Sequence, residues 1–386
     1  MSHSKQSFLV SMESIKRGPM TNYGDTHRLP DDVMIDILAR LPVKSVIQSR
    51  SVCKNWHSIV KNPSFVAKHF NHHTNSSRLF VYHFDYDSEE YFFSLYPDES
   101  LAGSPPAHQD VVVDMPRRLA ISLYNGILCM YNLSNRFALW NPATREFRSL
   151  PVLPLDFPPN VVIEKEIFGF GFGLDPITND YKVVWVWVTA DEFIKKRWMA
   201  AVYTVSSDSW RYLDVSLPYT WMDPPLSNTC INGVYHWYAM DKEEHPLILS
   251  FDMGNELFHE IRGDLPSPQP AAITTYNNSL ALCYYDFPDV DIWVMMEDGS
   301  WTKHSTVVIP TTMLGFWKNG LLFMETDDPG HLGLYDPETD KVKDLGSRIC
   351  AKPLVYRESL VAIRGRNGFI EQDQLSDVDQ VLNFSN

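Results

Sequence analysis

A small α-helical N-terminal module followed by an all-β, propeller-like domain of about six blades is the fold class that this sequence predicts. Three observations carry it. Apolar residues between Leu29 and Val60 recur at steps of three and four, as on helix faces. Between residues 119 and 365 a unit of apolar residue, polar turn and second apolar residue recurs, with starts 63, 48, 42 and 42 residues apart. The composition, 44% apolar with 11 Trp and 18 Tyr, suits strands and is too rich for a disordered chain. At 386 residues the chain exceeds the size at which one core stops growing, so a small satellite beside a large domain is expected. The expected division is a disordered tail over 1–25, a helical module over 26–70, a β domain over 71–365 and a second disordered tail over 366–386.

The helical module begins in LPDDVMIDILARLPVKSVIQSRSVCKNWHSIVKNP. Val33, Ile37 and Leu38, with Met34, Ile35 and Leu41, have helical spacing. Pro30 fits a first turn, Asp31 and Asp32 complement the positive end of the helix dipole, and Pro42 stops the helix. A second helix carries Val43, Val46 and Ile47. A third carries Val52, Cys53, Trp56, Ile59 and Val60 and closes at Asn62-Pro63. Residues 63 to 70 can add one more turn or two. Some 40 residues in short helices bury too little apolar surface to be securely stable alone, so they require either the large domain or a separate partner as support.

The ordered string Leu29-Pro30, Ile35, Leu38, Leu41-Pro42, Val46, Val52-Cys53-Lys54 and Trp56 resembles the F-box motif along its whole length. The resemblance implies that Leu29, Pro30, Ile35, Leu38, Leu41, Pro42, Val46, Val52, Cys53 and Trp56 bind a Skp-type adaptor. That adaptor would link the chain to a cullin scaffold in a ubiquitin ligase, with this chain as the non-catalytic receptor that selects the protein to be ubiquitylated. One departure stands out: Ser49 precedes Arg50 where the family usually has an apolar residue, which implies weaker adaptor affinity.

In the large domain five hairpins align: Trp140 to Phe147 (WNPATREF), Tyr203 to Trp210 (YTVSSDSW), Phe251 to Phe258 (FDMGNELF), Trp293 to Trp301 (WVMMEDGSW) and Tyr335 to Val342 (YDPETDKV). Their turns are rich in Asn, Asp, Ser, Thr, Gly and Pro, which hold tight reversals. A second element, Asn125-Gly126, Asn232-Gly233, Asn277-Asn278 and Asn319-Gly320, sits 15 to 19 residues before a hairpin and tolerates the positive φ that tight turns need. Each unit thus supplies about four strands, the pattern of a propeller blade. Val184 to Val188, with Trp185 and Trp187, is apolar on both faces and reads as a buried strand. The run Pro353 to Ile363 lacks a following hairpin and Leu79 to Tyr96 lacks a preceding one, so pairing them would close the ring and protect its edges.

The strings YNGILCMYN, LWNPATREFRSLP, FGFGLDPITNDYKVV, AVYTVSSDSWRYLD, LSFDMGNELFHEI, DIWVMMEDGSWTKH and YRESLVAI resemble the F-box-associated, kelch-like domain of plant F-box proteins, over most of 119 to 363. Within that family they are most similar to the S-locus F-box and S-locus F-box-like proteins of self-incompatibility. That resemblance implies a basic S-ribonuclease as substrate; the competing relative is a non-S-locus receptor for another plant protein in defence or signalling. Loops set propeller specificity, and the candidates are residues 97 to 117, 151 to 165, 189 to 199 and 217 to 227.

Charge agrees with a protein partner. Residues 1 to 70 carry ten Lys/Arg against five Asp/Glu, whereas the remainder carries 23 against 43. An acidic large domain disfavours nucleic acid and attracts a basic partner, although acidity also serves plain solubility. The longest apolar run, Val183 to Val188, is far short of a membrane span, and Phe8 to Val10 is too short for a signal peptide. The five cysteines include no CxxC pair and suit a reducing cytoplasmic or nuclear compartment, and the sequons at Asn75, Asn132, Asn277 and Asn383 are chance matches.

Motifs for chemistry fail inspection. Gly169, Gly171 and Gly173 lack the third glycine of a dinucleotide loop, which would fall at Leu174, so they read as packing glycines in a strand. His69, His72 and His73 lack a ligand cluster and read as a polar linker, and no cofactor or metal is expected. Asp175, Asp180, Asp252 and Asp336 read as turn residues rather than general acids. The rivals from other classes are a propeller glycoside hydrolase, with carboxylates meeting in the channel, and a kelch-like scaffold that binds no adaptor.

Overall fold

In a computed structural model of the chain, residues 29–363 are described apart from 74–75, 86–89, 97–118, 133–134, 155–161, 191–195, 216, 218, 264, 266–270, 310, 327–330 and 349–352. The two expected tails lie outside the described residues.

Four helices form the N-terminal module: α1 (Asp31–Ala39), α2 (Val43–Ser49), α3 (Lys54–Lys61) and α4 (Pro63–His72). Pro30 and Pro42 precede α1 and α2, where a missing N–H costs no intrahelical bond. The last helix is longer than the turn or two expected from sequence. Asn62 accepts from the Ser64 amide at 2.8 Å and Pro63 takes the first position, so α4 starts with a satisfied cap. The module core is Leu38, Ala39, Val43, Val46, Val60 and Phe65.

His69 and His73 are structural rather than linker residues, which corrects the sequence reading. Each sits at the end of α4 with its Nε2 against a carbonyl, His73 against Ala39 in the last turn of α1 at 3.1 Å and His69 against Leu41 in the link to α2 at 2.8 Å. Carbonyls at a helix C-terminus have no intrahelical donor, and the imidazoles supply one.

The β domain is a propeller of six blades. The first holds β1 (Arg78–Asp85), β2 (Glu90–Leu95) and, from the far end of the chain, β23 (Leu354–Tyr356). The second is β3 (Leu119–Tyr124), β4 (Ile127–Asn132), β5 (Arg136–Asn141) and β6 (Glu146–Ser149). The third is β7 (Val162–Asp175), β8 (Asp180–Ala190), β9 (Lys196–Thr204) and β10 (Ser209–Leu213). The fourth is β11 (Tyr219–Asp223), β12 (Val234–Asp241), β13 (Pro246–Asp252) and β14 (Leu257–Ile261). The fifth is β15 (Ala271–Tyr276), β16 (Ser279–Asp286), β17 (Asp289–Met295) and β18 (Trp301–Val308). The sixth is β19 (Met313–Phe316), β20 (Leu322–Glu325), β21 (His331–Asp336) and β22 (Lys341–Arg348). First strands of neighbouring blades lie together, β3 with β7, β7 with β11 and β15 with β19, and so line the centre.

Ring closure is as the unpaired runs implied. Phe80 of β1 pairs with Leu354 of β23, and Arg78 with Tyr356. Four of the five aligned hairpins put their named residues in register, as Trp140↔Phe147, Tyr203↔Trp210, Phe251↔Phe258 and Tyr335↔Val342. The fifth does not. A turn closed by Met295 and Trp301, with Gly299 at φ +82°, sets Trp293 opposite Lys303, and a bulge interrupts the pairing beyond it, between Ile292 and Trp293. The Asn-Gly and Asn-Asn pairs all adopt positive φ, from +48° at Asn125 to +81° at Gly233.

The buried strand expected at Val184 to Val188 is indeed buried, each residue at 1% exposure or less. The three glycines of β7 explain how the fourth blade packs on it. A Cβ would meet Met222 Sδ at 2.4 Å from Gly169, the Tyr235 ring at 2.6 Å from Gly171 and Cys230 Sγ at 2.4 Å from Gly173. Their absent side chains admit three large ones.

Candidate functional site

Strand direction divides the propeller into two faces. Blade strands alternate, so the turns from first to second strand and from third to fourth open on one face, and the remaining connections on the other. The helical module sits on the first of these faces. Ala143, in the β5–β6 turn, and Leu360, beyond β23, pack into the module core, and the Arg357 guanidinium lies 4.2 Å over the Phe70 ring. The segment carrying Leu360 is itself tied to the second blade. Asn141 Nδ2 donates to the Ser359 and Val361 carbonyls at 3.1 and 2.7 Å, and the Ile363 amide donates to Glu146 at 3.0 Å.

The module has a second, unpartnered apolar face. Leu29, Val33 and Ile37 are 55%, 42% and 46% exposed, while Leu38 and Ala39 of the same helix are fully buried. A spacing of four puts Val33 and Ile37 on one side of α1, and Leu29 stands just before its first turn. Among the residues named from sequence, Leu29, Pro30, Pro42 and Cys53 are exposed and Ile35, Leu41, Val52 and Trp56 are half-buried. Leu38 and Val46 lie in the module core and support the surface from within. Val33 and Ile37 were recognised as helical residues but not as surface ones; the four-residue step between them was the available signal. Ser49 is also buried, its Oγ donating to the Val46 carbonyl at 2.6 Å, so it acts on the module's packing rather than its surface. Lys68 of α4 pairs with Asp36 of α1 and holds that carboxyl below its ordinary range, while burial lowers the His69 imidazole, keeping it neutral against Leu41.

Among the four candidate loops, the β6–β7, β8–β9 and β10–β11 connections open by strand direction on the face away from the module, whereas β2, which leads to residues 97 to 117, and β11, which runs through 219–223, end on the module's face. Residues 97 to 117 lie outside the described residues, as do 155–161 and 191–195 of the second and third loops. The rest of those segments differs from expectation. Residues 162–165 belong to β7, 189–190 and 196–199 to β8 and β9, and 219–223 form β11, because the third blade's strands run long and the fourth begins early.

The carboxylates singled out from sequence hold turns. Asp175 Oδ1 accepts from the Ile177 and Thr178 amides, Asp252 Oδ1 from Gly254 and Asn255, Asp336 Oδ1 from Glu338, and Asp180 from Tyr181 and Ser206. Burial works against the charge on Asp175, but Lys182 at 2.8 Å and the turn donors outweigh it and take the carboxyl down to about 2. Asp241, Glu243 and His245 also lie together, yet Asp241 already accepts from the Glu243 and His245 amides and pairs with Arg262 at 2.7 Å. No helix among the described residues is long and apolar enough to cross a membrane.

Residues 27–80 match the F-box domain and residues 78–336 match the family described as the F-box associated beta propeller domain. An F-box protein of Arabidopsis thaliana is 27% identical over 314 residues, covering 76% of each chain. An F-box/LRR-repeat/kelch-repeat protein of the same plant is 24% identical over 310 residues, covering 75% of this chain and 79% of the relative. Among solved structures, the SapL1 lectin in complex with alpha methyl fucoside shares 15% identity and a TM-score of 0.41 over 71% of this chain and 93% of that one.

Proposed function

We propose, because this chain belongs to the F-box associated beta propeller family and carries an F-box domain ahead of the propeller, that it is the substrate-recognition subunit of a Skp-cullin-F-box ubiquitin ligase. The observation that carries this reading is the exposed apolar row Leu29, Val33 and Ile37 on a module whose other side is seated on the propeller. An apolar row on a small surface helix is a partner site, and a helical adaptor of Skp type suits it. Leu29, Pro30, Pro42 and Cys53 would touch the adaptor, Ile35, Leu41, Val52 and Trp56 would shape the rim, and Leu38 and Val46 would hold the surface in place. The propeller would present a protein substrate and contribute no catalysis of its own, in the cytoplasm or nucleus.

The test is co-purification with a Skp-type adaptor. Val33→Asp with Ile37→Asp should abolish it, as should alanine at Leu29 and Pro30 or at Leu41 and Pro42, while the propeller stays folded. Unchanged co-purification would defeat the reading. A propeller hydrolase would instead show activity on a panel of sugars, and a kelch-like scaffold would ignore the adaptor altogether.

The finer reading, an S-locus type receptor for a basic S-ribonuclease, rests on the sequence resemblance and on the charge of the large domain, 23 Lys/Arg against 43 Asp/Glu over residues 71–386. Its test is the association rate with purified ribonuclease against ionic strength: steering by the acidic domain should fade as salt rises, and a flat dependence would point to a different substrate.

A further inference from the structure

Two clefts between blades use the same hairpin differently. In YTVSSDSW the Tyr203 hydroxyl donates to Asp208 at 2.7 Å, and in YDPETDKV the Tyr335 hydroxyl donates to Asp340 at 3.1 Å, with the same five-residue step and the same φ of +53° at the aspartate. In the first case the second blade supplies a cation. Arg148 of β6 pairs with Asp208 at 2.7 Å and lies 5.9 Å from the centre of the Tyr203 ring. The Trp210 indole, whose N–H donates to the Pro151 carbonyl, and Tyr212, bonded to the Pro154 carbonyl, fill the rest of that cleft.

At the sixth blade every one of those groups is replaced by something smaller. Strand pairing aligns Val342 with Trp210 and Asp344 with Tyr212, because Tyr335↔Val342 and Gly333↔Asp344 repeat Tyr203↔Trp210 and Ala201↔Tyr212. On the fifth blade the residues that share the groove with Tyr335 and Asp340 are Thr306, Val307 and Val308, with no cation, among the described residues, where the second blade supplies Arg148. Lys303 of the same strand is engaged elsewhere, with Asp291 at 2.8 Å. The result is an open groove of about 830 Å³. Tyr335 and Asp340 lie along it, Val308 and Val342 flank it, and Asp344 stands beyond them, 3.7 Å from His331. Val308 and Val342 are 56% and 49% exposed, and among the described residues no Lys or Arg pairs with Asp340.

We infer that the groove between the fifth and sixth blades is a binding site for an arginine side chain presented by an aliphatic-flanked segment of a partner protein. The chain shows the binding mode once already, with its own Arg148 as the ligand. A guanidinium at Asp340 would gain a charge-assisted hydrogen bond and the face of Tyr335, and its methylene stem would cover Val308 and Val342. A lysine would supply the charge without the planar fork. The inference deepens the reading of the propeller as a protein receptor and stands apart from adaptor docking, because the groove contains no residue of the helical module.

The test titrates full-length protein with a blocked pentapeptide holding arginine between two leucines, and with its citrulline and lysine counterparts, followed by broadening of the peptide NMR signals. The arginine peptide should bind about tenfold more tightly than the citrulline one, with lysine between them. Asp340→Asn should cost the arginine peptide about tenfold, whereas Asp208→Asn, in the filled cleft, should change nothing. Val342→Trp, which restores the residue found in the third blade, should block binding with the melting temperature maintained, and Thr306→Arg, at an exposed position lining the groove, should block it by supplying an internal ligand. Equal binding of arginine and citrulline, no binding at millimolar peptide, or full binding by both blocking variants would overturn the assignment. Adaptor co-purification of the same variants separates a failure here from a failure of the ligase reading.

Discussion

Leu360→Ala tests whether the C-terminal segment carries the helical module. Leu360 is 2% exposed and enters a core whose other fully buried apolar residues, among those described, number six: Leu38, Ala39, Val43, Val46, Val60 and Phe65. Truncating a buried leucine to alanine costs about 2 to 5 kcal/mol, the larger values where the site cannot collapse. A module this small has little stability to spare, so the loss should fall on it rather than on the propeller, whose blades retain their own cores. Hydrogen exchange of the α3 and α4 amides is the assay. Each 1.36 kcal/mol is a factor of ten, so protection should fall by roughly 30-fold or more, while amides of β8 and β12 keep theirs. Loss confined to the propeller, or α4 protection equal to that of the unaltered protein, would refute the claim that Leu360 seats the module.

Alanine at Trp140, Tyr203, Phe251 or Tyr335 should cost about 3 to 5 kcal/mol by thermal or denaturant melting, because each is at most 8% exposed, while Trp293, only half-buried, should cost clearly less. Equal losses at all five would restore the original alignment of the fifth hairpin. Gly171→Ala should destabilise by about 1 to 3 kcal/mol, since the new Cβ would sit 2.6 Å from the Tyr235 ring; Gly171→Ala combined with Tyr235→Leu should recover part of it. His236 is 7% exposed, its Nδ1 lies 2.8 Å from the Ser250 hydroxyl, and burial takes its imidazole down to about 4. A histidine with a depressed folded value favours the unfolded chain once that chain protonates. Stability should therefore be full above about pH 6.5 and fall by about 3 kcal/mol as pH drops toward 4. His236→Gln should flatten that part of the melting curve against pH, and an unchanged slope would locate the acid sensitivity elsewhere.

The two-part architecture was legible in the sequence because both signals are local. Helical spacing, with prolines ahead of α1 and α2, fixes α1 to α3 within a few residues, and Asn-Gly pairs with aromatic-flanked turns mark blade hairpins wherever they occur. Ring closure was legible too, since two unpaired strand-like runs at opposite ends of a repeat array have each other as partners. Positions that depend on neighbours were not. Trp293 looked like the other hairpin aromatics, yet the fifth blade's turn closes at Met295 and Trp301 and so sets Trp293 opposite Lys303. The His69 and His73 pair looked like a linker because the carbonyls they bind lie at and just beyond the end of α1, more than 25 residues away. Of the ten motif residues, spacing alone could not separate the buried Leu38 and Val46 from the exposed Leu29 and Pro42, because a three- and four-step pattern gives a helix face without saying what covers it. Tertiary packing decided that Leu360, some 300 positions along the chain, completes the module core and leaves Val33 and Ile37 uncovered. It also decided that large-to-small replacements around one Tyr–Asp pair open a groove that a second such pair keeps filled, a difference that exists only where one blade meets the next.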